Sequence, residues 1–336
     1  MSFAAHFGQI PSQAQCHLFP SDKDYTSEKP LRQGLIELAS ELLNSDGEGE
    51  PIEAKIAMPS KRDIAVCFLT MSGAIKLREL LGGRDKLLVL AYHRICEIEG
   101  FMWDDDLISA SPGEFERQIR YVADRFTPIT FEELARILSG RSPIPPRPAI
   151  VTFDDGYMDN YLQAFPILKR YGVPATFFIP VGFIGTRRET PWDLKAFKRK
   201  SGRQPKEGPR FMGWREIEEM AEWGMEFGSH TVGHISLIES PEARVKEELM
   251  ASKSEMEGRL GRKVVAFAYP YGKWSEQAMK LVREAGFSFA VTLEHGLNRI
   301  EECRMNPLAL RRIAVERWDS FDSFRAKIGF PKIIRY

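Results

Sequence analysis

From residue 86 onward, short apolar runs alternate with stretches whose apolar residues recur at helical spacing. Residues 87–92 (LLVLAY) form an unbroken apolar run, the mark of a strand buried on both faces. Phe115, Ile119, Val122 and Phe126 then fall on one helical face behind Ser111-Pro112, a cap followed by a first-turn proline. The alternation continues with a strand at 149–153 and a helix at 157–171 that Pro166 must kink or restart. It predicts a strand at 175–180, a helix at 214–223 and a strand at 226–229. A long helix opens at Ser240-Pro241 and stops at Gly261, followed by a strand at 264–268 and a helix at 275–285. Strands at 288–292 and 310–315 and a helix at 320–328 close the series. Strands separated by helices pair in parallel through right-handed crossovers, and about seven such units can close into a (β/α) barrel. In such barrels the functional residues stand where strands end.

The first 80 residues do not share this rhythm. They hold a polar, turn-rich start, an amphipathic helix candidate at 31–43, an acidic linker at 45–50 and an apolar patch at 64–71. They read as an extension (1–80) of unknown role before the barrel (81–336). The 47 basic and 47 acidic side chains cancel, so no bulk field favours nucleic acid or an anionic membrane. The patch at 64–71 is the longest apolar run and falls far short of the roughly 20 residues of a membrane span. Cys16, Cys67, Cys96 and Cys303 share no metal-binding spacing and read as free thiols. The opening residues show neither a basic nor an apolar signal region, so the expected location is the cytoplasm.

Three constellations stand at predicted strand ends. Thr152-Phe153-Asp154-Asp155-Gly156 sets two carboxylates side by side, which is costly unless a cation neutralises one and leaves the other as a base. Asp-Gly is also a common turn, and by itself the motif reads more readily that way. His230-Thr231-Val232-Gly233-His234 carries two imidazoles at i, i+4, a spacing that on a helical turn pinches one metal ion. Asp155 would complete a facial set with open positions. Ala268-Tyr269-Pro270-Tyr271-Gly272 reads as a rigid aromatic loop, either a structural turn or a site where the Tyr271 N–H faces a reacting oxygen.

In this order, TFDDG, HTVGH and YPYG resemble the motifs of the polysaccharide deacetylases of carbohydrate esterase family 4, which share the nodulation-protein-B homology domain. The resemblance runs from about Leu87 to Ile328 and extends to LAYHRI, GVPATFFI and LRRIAV. It implies a deformed (β/α)7 barrel and a divalent ion, most often zinc, held by Asp155, His230 and His234. Asp154 would be the general base, with the Tyr271 N–H at the oxyanion site. The implied reaction is hydrolysis of N-acetyl groups on N-acetylglucosamine-type oligo- or polysaccharides.

The chain departs from the family pattern in two places. Where many members carry an arginine before the proline of the third motif, this chain has Ala268, and Arg312 is the candidate replacement. No late Leu-x-His supplies a general acid, so the Tyr-His start points to His93, with His295 in reserve. Trp192 and Trp214 are candidate sugar platforms, and the basic run 195–203 reads as a solvated insertion. The alternatives are the same fold acting on another amide, such as a cyclic ureide, or a catalytically impaired carbohydrate-binding protein.

Overall fold

The computed structural model describes residues 60–80 and 85–334. The helix candidate at 31–43, the linker at 45–50 and Cys16 lie outside them.

Seven parallel strands form the centre: β1 (Lys86–Tyr92), β2 (Pro148–Phe153), β3 (Ala175–Ile179), β4 (Glu226–Ser229), β5 (Ala266–Ala268), β6 (Phe289–His295) and β7 (Leu310–Ala314). Each pairs with the next, and β7 pairs back with β1 through Leu90↔Ile313, so the sheet closes into a barrel. The seam between β4 and β5 is a single partnered pair, Ser229↔Phe267, which is the irregularity expected of a deformed barrel.

Strand alternation divides the core in two. Leu88, Leu90 and Tyr92 of β1 and Val151 and Phe153 of β2 pack with the surrounding helices. Leu87, Val89, Ile150, Phe178, Ala266, Phe289, Val291 and Leu310 pack with one another and with Phe131. Phe131 opens a helix, Phe131–Leu138, that the periodicity analysis does not predict. Its capping box, Thr130 with Glu133, is the signal that was there to be read. Buried Glu226, at the start of β4, accepts hydrogen bonds from the Phe131 and Glu132 N–H groups, a carboxylate meeting a helix N-terminus. This helix fills the end of the barrel where the strands begin and leaves the other end for chemistry.

The outer helices follow the predicted pattern closely. Pro166 breaks the segment after β2 into a π-helical turn, Asn160–Ala164, and an α-helix, Phe165–Tyr171. The long helix is Glu242–Leu260, ended by Gly261 in the left-handed conformation. The basic run 195–203 is solvated as expected, with Lys195, Lys198, Arg199, Lys200 and Arg203 exposed, but most of it is helical. It belongs to helix Pro191–Ser201, capped by Thr190, and Lys200 donates to the Phe101 and Trp103 carbonyls. Helix Lys61–Met71, α1, lies within the sequence-defined extension, and its Val66 and Leu69 pack with Ala326 and Ile334. Among the described residues no helix is long and apolar enough to cross a membrane.

Candidate active site

The inward rows of β2, β4 and β7 lead directly to the site. One step beyond the end of β2, Asp154 is buried and meets Arg312 of β7 in a two-pronged ion pair, Nη1–Oδ1 2.8 Å and Nη2–Oδ2 2.7 Å. Arg312 is fully buried and also donates to the Thr292 carbonyl and the Thr152 hydroxyl, so its guanidinium is held along its length. Burial alone would raise the Asp154 carboxyl; the Arg312 charge and hydrogen bonds outweigh it and hold the group well below the usual carboxylate range. Arg312 therefore grips Asp154 from β7, where Ala268 on β5 offers only a methyl group.

Asp155, His230 and His234 converge next to this pair, all buried. The His230 Nε2 lies 3.7 Å and the His234 Nε2 3.4 Å from Asp155 Oδ1. Donors bound at ~2.0–2.2 Å around a tetrahedral ion stand roughly 3.3–3.6 Å apart, so the spacing fits one. The His230 Nδ1 donates to the Ala268 carbonyl at 2.7 Å, which fixes the tautomer and leaves Nε2 bare as a ligand atom. Burial lowers the His230 pKa to about 4 and that of His234 well below its ordinary value, so both rings are neutral, as ligands must be. Burial, then the neighbouring Asp154 charge, pushes the Asp155 carboxyl well up; a divalent ion would remove that penalty. The donor set, its spacing and its protonation all fit a divalent cation.

The two histidines do not share a helical turn. Residues 231–233 form an irregular turn in which Thr231 and His234 have φ of 67° and 55°. Buried Glu248, on helix Glu242–Leu260, holds it by accepting from the Val232 and Gly233 N–H groups at 2.7 and 2.8 Å. Asp155 (φ 72°) and Tyr271 (φ 61°) are left-handed too. Four of the five non-glycine residues with positive φ among those described therefore lie in the three site loops.

His93 follows β1 and its Nε2 is 3.9 Å from Asp154 Oδ2, close but beyond hydrogen-bond length. Burial lowers its pKa, the Asp154 carboxylate opposing. Its backbone is pinned at both ends, the N–H to the Ser109 hydroxyl and the carbonyl to the Asn160 amide. His295 stands at the end of β6, in register with Arg312. The His234 ring packs 4.6 Å from the Tyr271 ring and 5.0 Å from the Trp192 ring, centroid to centroid. Trp214, in contrast, packs against the core beneath the Arg259 guanidinium.

Sequence reasoning passed over the groups that hold these residues in place. Asp159 accepts from Arg94 and the Ile95 N–H, fixing the chain just after His93. Fully buried Asp193 accepts from the Tyr157 hydroxyl, which in turn accepts from the Trp192 indole. The π-helical turn directly after Asp159 marks the place in the structure, since such turns gather at functional sites, but it has no counterpart in the sequence pattern.

A family model described as polysaccharide deacetylase matches residues 141–290. The polysaccharide deacetylase-type protein YxkH of Bacillus subtilis is 26% identical over 248 residues, spanning 74% of this chain and 77% of that protein. A poly-β-1,6-N-acetyl-D-glucosamine N-deacetylase of Staphylococcus aureus is 25% identical over 262 residues, 70% of this chain and 83% of the relative. Among solved structures, IcaB from Ammonifex degensii superposes with a TM-score of 0.56 at 28% identity, covering 71% of this chain and 94% of the other.

Proposed function

Because the chain belongs to the polysaccharide deacetylase family, we propose that it hydrolyses N-acetyl groups on N-acetylglucosamine-type oligo- or polysaccharides and releases acetate. The observation that carries the reading is the pairing of two differently treated carboxylates. Asp155 faces two neutral imidazoles that can share a cation with it, while Asp154 is clamped by Arg312 and stays ionised. The relative that acts on poly-β-1,6-N-acetylglucosamine makes a glycan of that class the first substrate to try.

Asp155, His230 and His234 would hold a divalent ion, zinc suiting the donor set best, and that ion supplies Lewis acidity toward the acetamide carbonyl and toward water. Asp154 takes the proton from the attacking water. The Arg312 charge and hydrogen bonds keep the Asp154 carboxylate ionised and so able to accept that proton. What the Arg312 clamp adds is a fixed direction and permanent charge. The Tyr271 N–H has no backbone acceptor among the described residues and donates to the developing oxyanion. His93 then delivers a proton to the leaving amine. Trp192, fixed through Tyr157 and Asp193, gives the sugar a flat apolar wall.

Metal removal tests the whole scheme. The purified protein should bind about one divalent ion per chain. Chelation should abolish acetate release from acetylated glucosamine oligomers, and zinc or cobalt should restore it. Full activity in a rigorously metal-free sample would overturn the mechanism. The same assay with small cyclic amides distinguishes the other amide class, which no residue described above specifically favours.

A further inference from the structure

Where the barrel strands begin, a pocket of about 70 Å³ lies between β1 and the C-terminal ends of helices Ala74–Leu80, Pro112–Arg125 and Phe321–Gly329. None of the site residues lines it. It is far smaller than the ~300–1,000 Å³ of pockets that enclose whole small molecules, so it has room for one compact group.

Four cations from four parts of the chain reach this pocket: Arg78, Lys86 at the start of β1, Arg147 just before β2, and Arg325. All four are half-buried, and no carboxylate is among the described lining residues. The Lys86 ammonium has no hydrogen bond or ion pair among the described residues. Arg78 donates through Nε to the Gly329 carbonyl at 3.3 Å, and neither Nη has a partner among those residues. Arg325 pairs with Asp322, and the Arg147 guanidinium stands 4.3 Å above the Phe126 ring. A helix C-terminus welcomes a cation, which accounts for Arg78 in the last turn of its helix. It does not account for Lys86 and Arg147, which stand where strands begin.

Arg147 carries a second signal. Of the five non-glycine residues with positive φ among those described, it is the one outside the reaction-centre loops. Its φ of 50° is held directly before Pro148, where a proline favours an extended backbone. Strain of this kind persists where the surrounding structure demands it, and it gathers at binding sites. Like charges drawn together in a partly dry pocket repel, and an anion among them turns that repulsion into attraction. A carboxylate has one charge and one plane. A phosphate carries nearly two charges on oxygens that point in several directions, and it suits guanidinium forks.

We propose that this pocket binds a phosphate-type oxyanion, with Lys86 and the Arg78 Nη groups as its principal donors. The site stands apart from the deacetylase reading and from the catalytic ion. An anion seated there ties β1 to the last helix, so it also stabilises the fold.

Calorimetry of the full chain with inorganic phosphate, at constant ionic strength, should show one site, and the same affinity with and without added zinc. Lys86→Gln, which leaves no carboxylate without a partner, should weaken binding at least tenfold. Lys86→Met/Arg78→Met should remove it, and Lys86→Arg should retain it. Phosphate should raise the Tm of the parent and not that of the double variant. Phenyl phosphate separates the sources of the anion. Tighter binding of the ester identifies the end of a larger molecule resting on Tyr121 and Phe126, and tighter binding of inorganic phosphate identifies the free ion; either result upholds the site. No binding by the parent, binding unchanged in both Lys86→Gln and the double variant, or binding that appears only with zinc would overturn it.

Discussion

At the scale of single residues, Asp154 and Asp155 are neighbours in sequence with opposite surroundings. Asp154 faces a buried guanidinium, and Asp155 faces two neutral imidazoles. Asp154→Asn should keep the metal and lose turnover by ~10²–10⁴-fold, the usual worth of a general base. Asp155→Asn should lose metal and turnover together. Metal analysis of both variants checks this, and interchanged phenotypes would reverse the assignment. The proton donor is tested through the leaving group. His93→Ala should slow an acetamide by at least ~10²-fold while leaving metal content unchanged. An acetate ester with a good leaving group needs less protonation and should slow much less. Equal loss on both substrates would move the acid role to His295 or to water.

The elements explain how much of this was legible beforehand. Strand ends were readable because a strand buried on both faces leaves an unbroken apolar run, and the residue after it is confined to the barrel mouth. The runs at 87–92 and 149–153 therefore placed His93 and Asp154 without any knowledge of contacts. The turn at 231–233 was not readable in the same way. Its i, i+4 spacing suggested a helix, but its shape is set by Glu248, 16 residues from Val232 on another element, and by left-handed Thr231 and His234. The Arg312 clamp spans 158 residues and appears in sequence only as the gap left by Ala268. These observations make Glu248 a positioning residue for the metal site. Glu248→Ala removes the acceptor for two backbone N–H groups and should free the turn, lowering zinc affinity by ~10–100-fold, the range for loss of a supporting contact. Competition with a chromogenic chelator measures it. A variant that is destabilised but binds zinc as tightly as the parent would confine Glu248 to a structural role.

For the molecule as a whole, the open question is where the catalytic body begins. None of the site residues named above falls before Met71 in the sequence. Yet α1 does more than precede the barrel. Val66 and Leu69, 6% and 8% exposed, pack with Ile75 and with Ala326 and Ile334 at the far end of the sequence. Arg62 pairs with Asp319 and Glu316, the same two carboxylates that neutralise fully buried Lys327. Two cations thus balance two anions, and removing Arg62 would leave a partly buried excess of negative charge beside the helix that follows β7. Burying one valine and one leucine is worth about 1.5–3 kcal/mol each relative to exposure, an upper estimate for sites this near the surface. A chain beginning at Pro59 keeps these contacts and, measured beside the full-length protein, sets the Tm against which the loss of α1 is judged. One beginning at Met71 should fold and retain its kcat at low temperature, because no residue of α1 reaches the Asp154–Arg312 pair or the histidines. Its Tm should nonetheless fall by several degrees, at ~2–4 °C per kcal/mol for a domain of this order. Thermal unfolding and acetate release on the three lengths decide the matter. Equal Tm values would make α1 an ornament on the barrel, and a stably folded but inactive Met71 chain would show that the segment before it reaches the site.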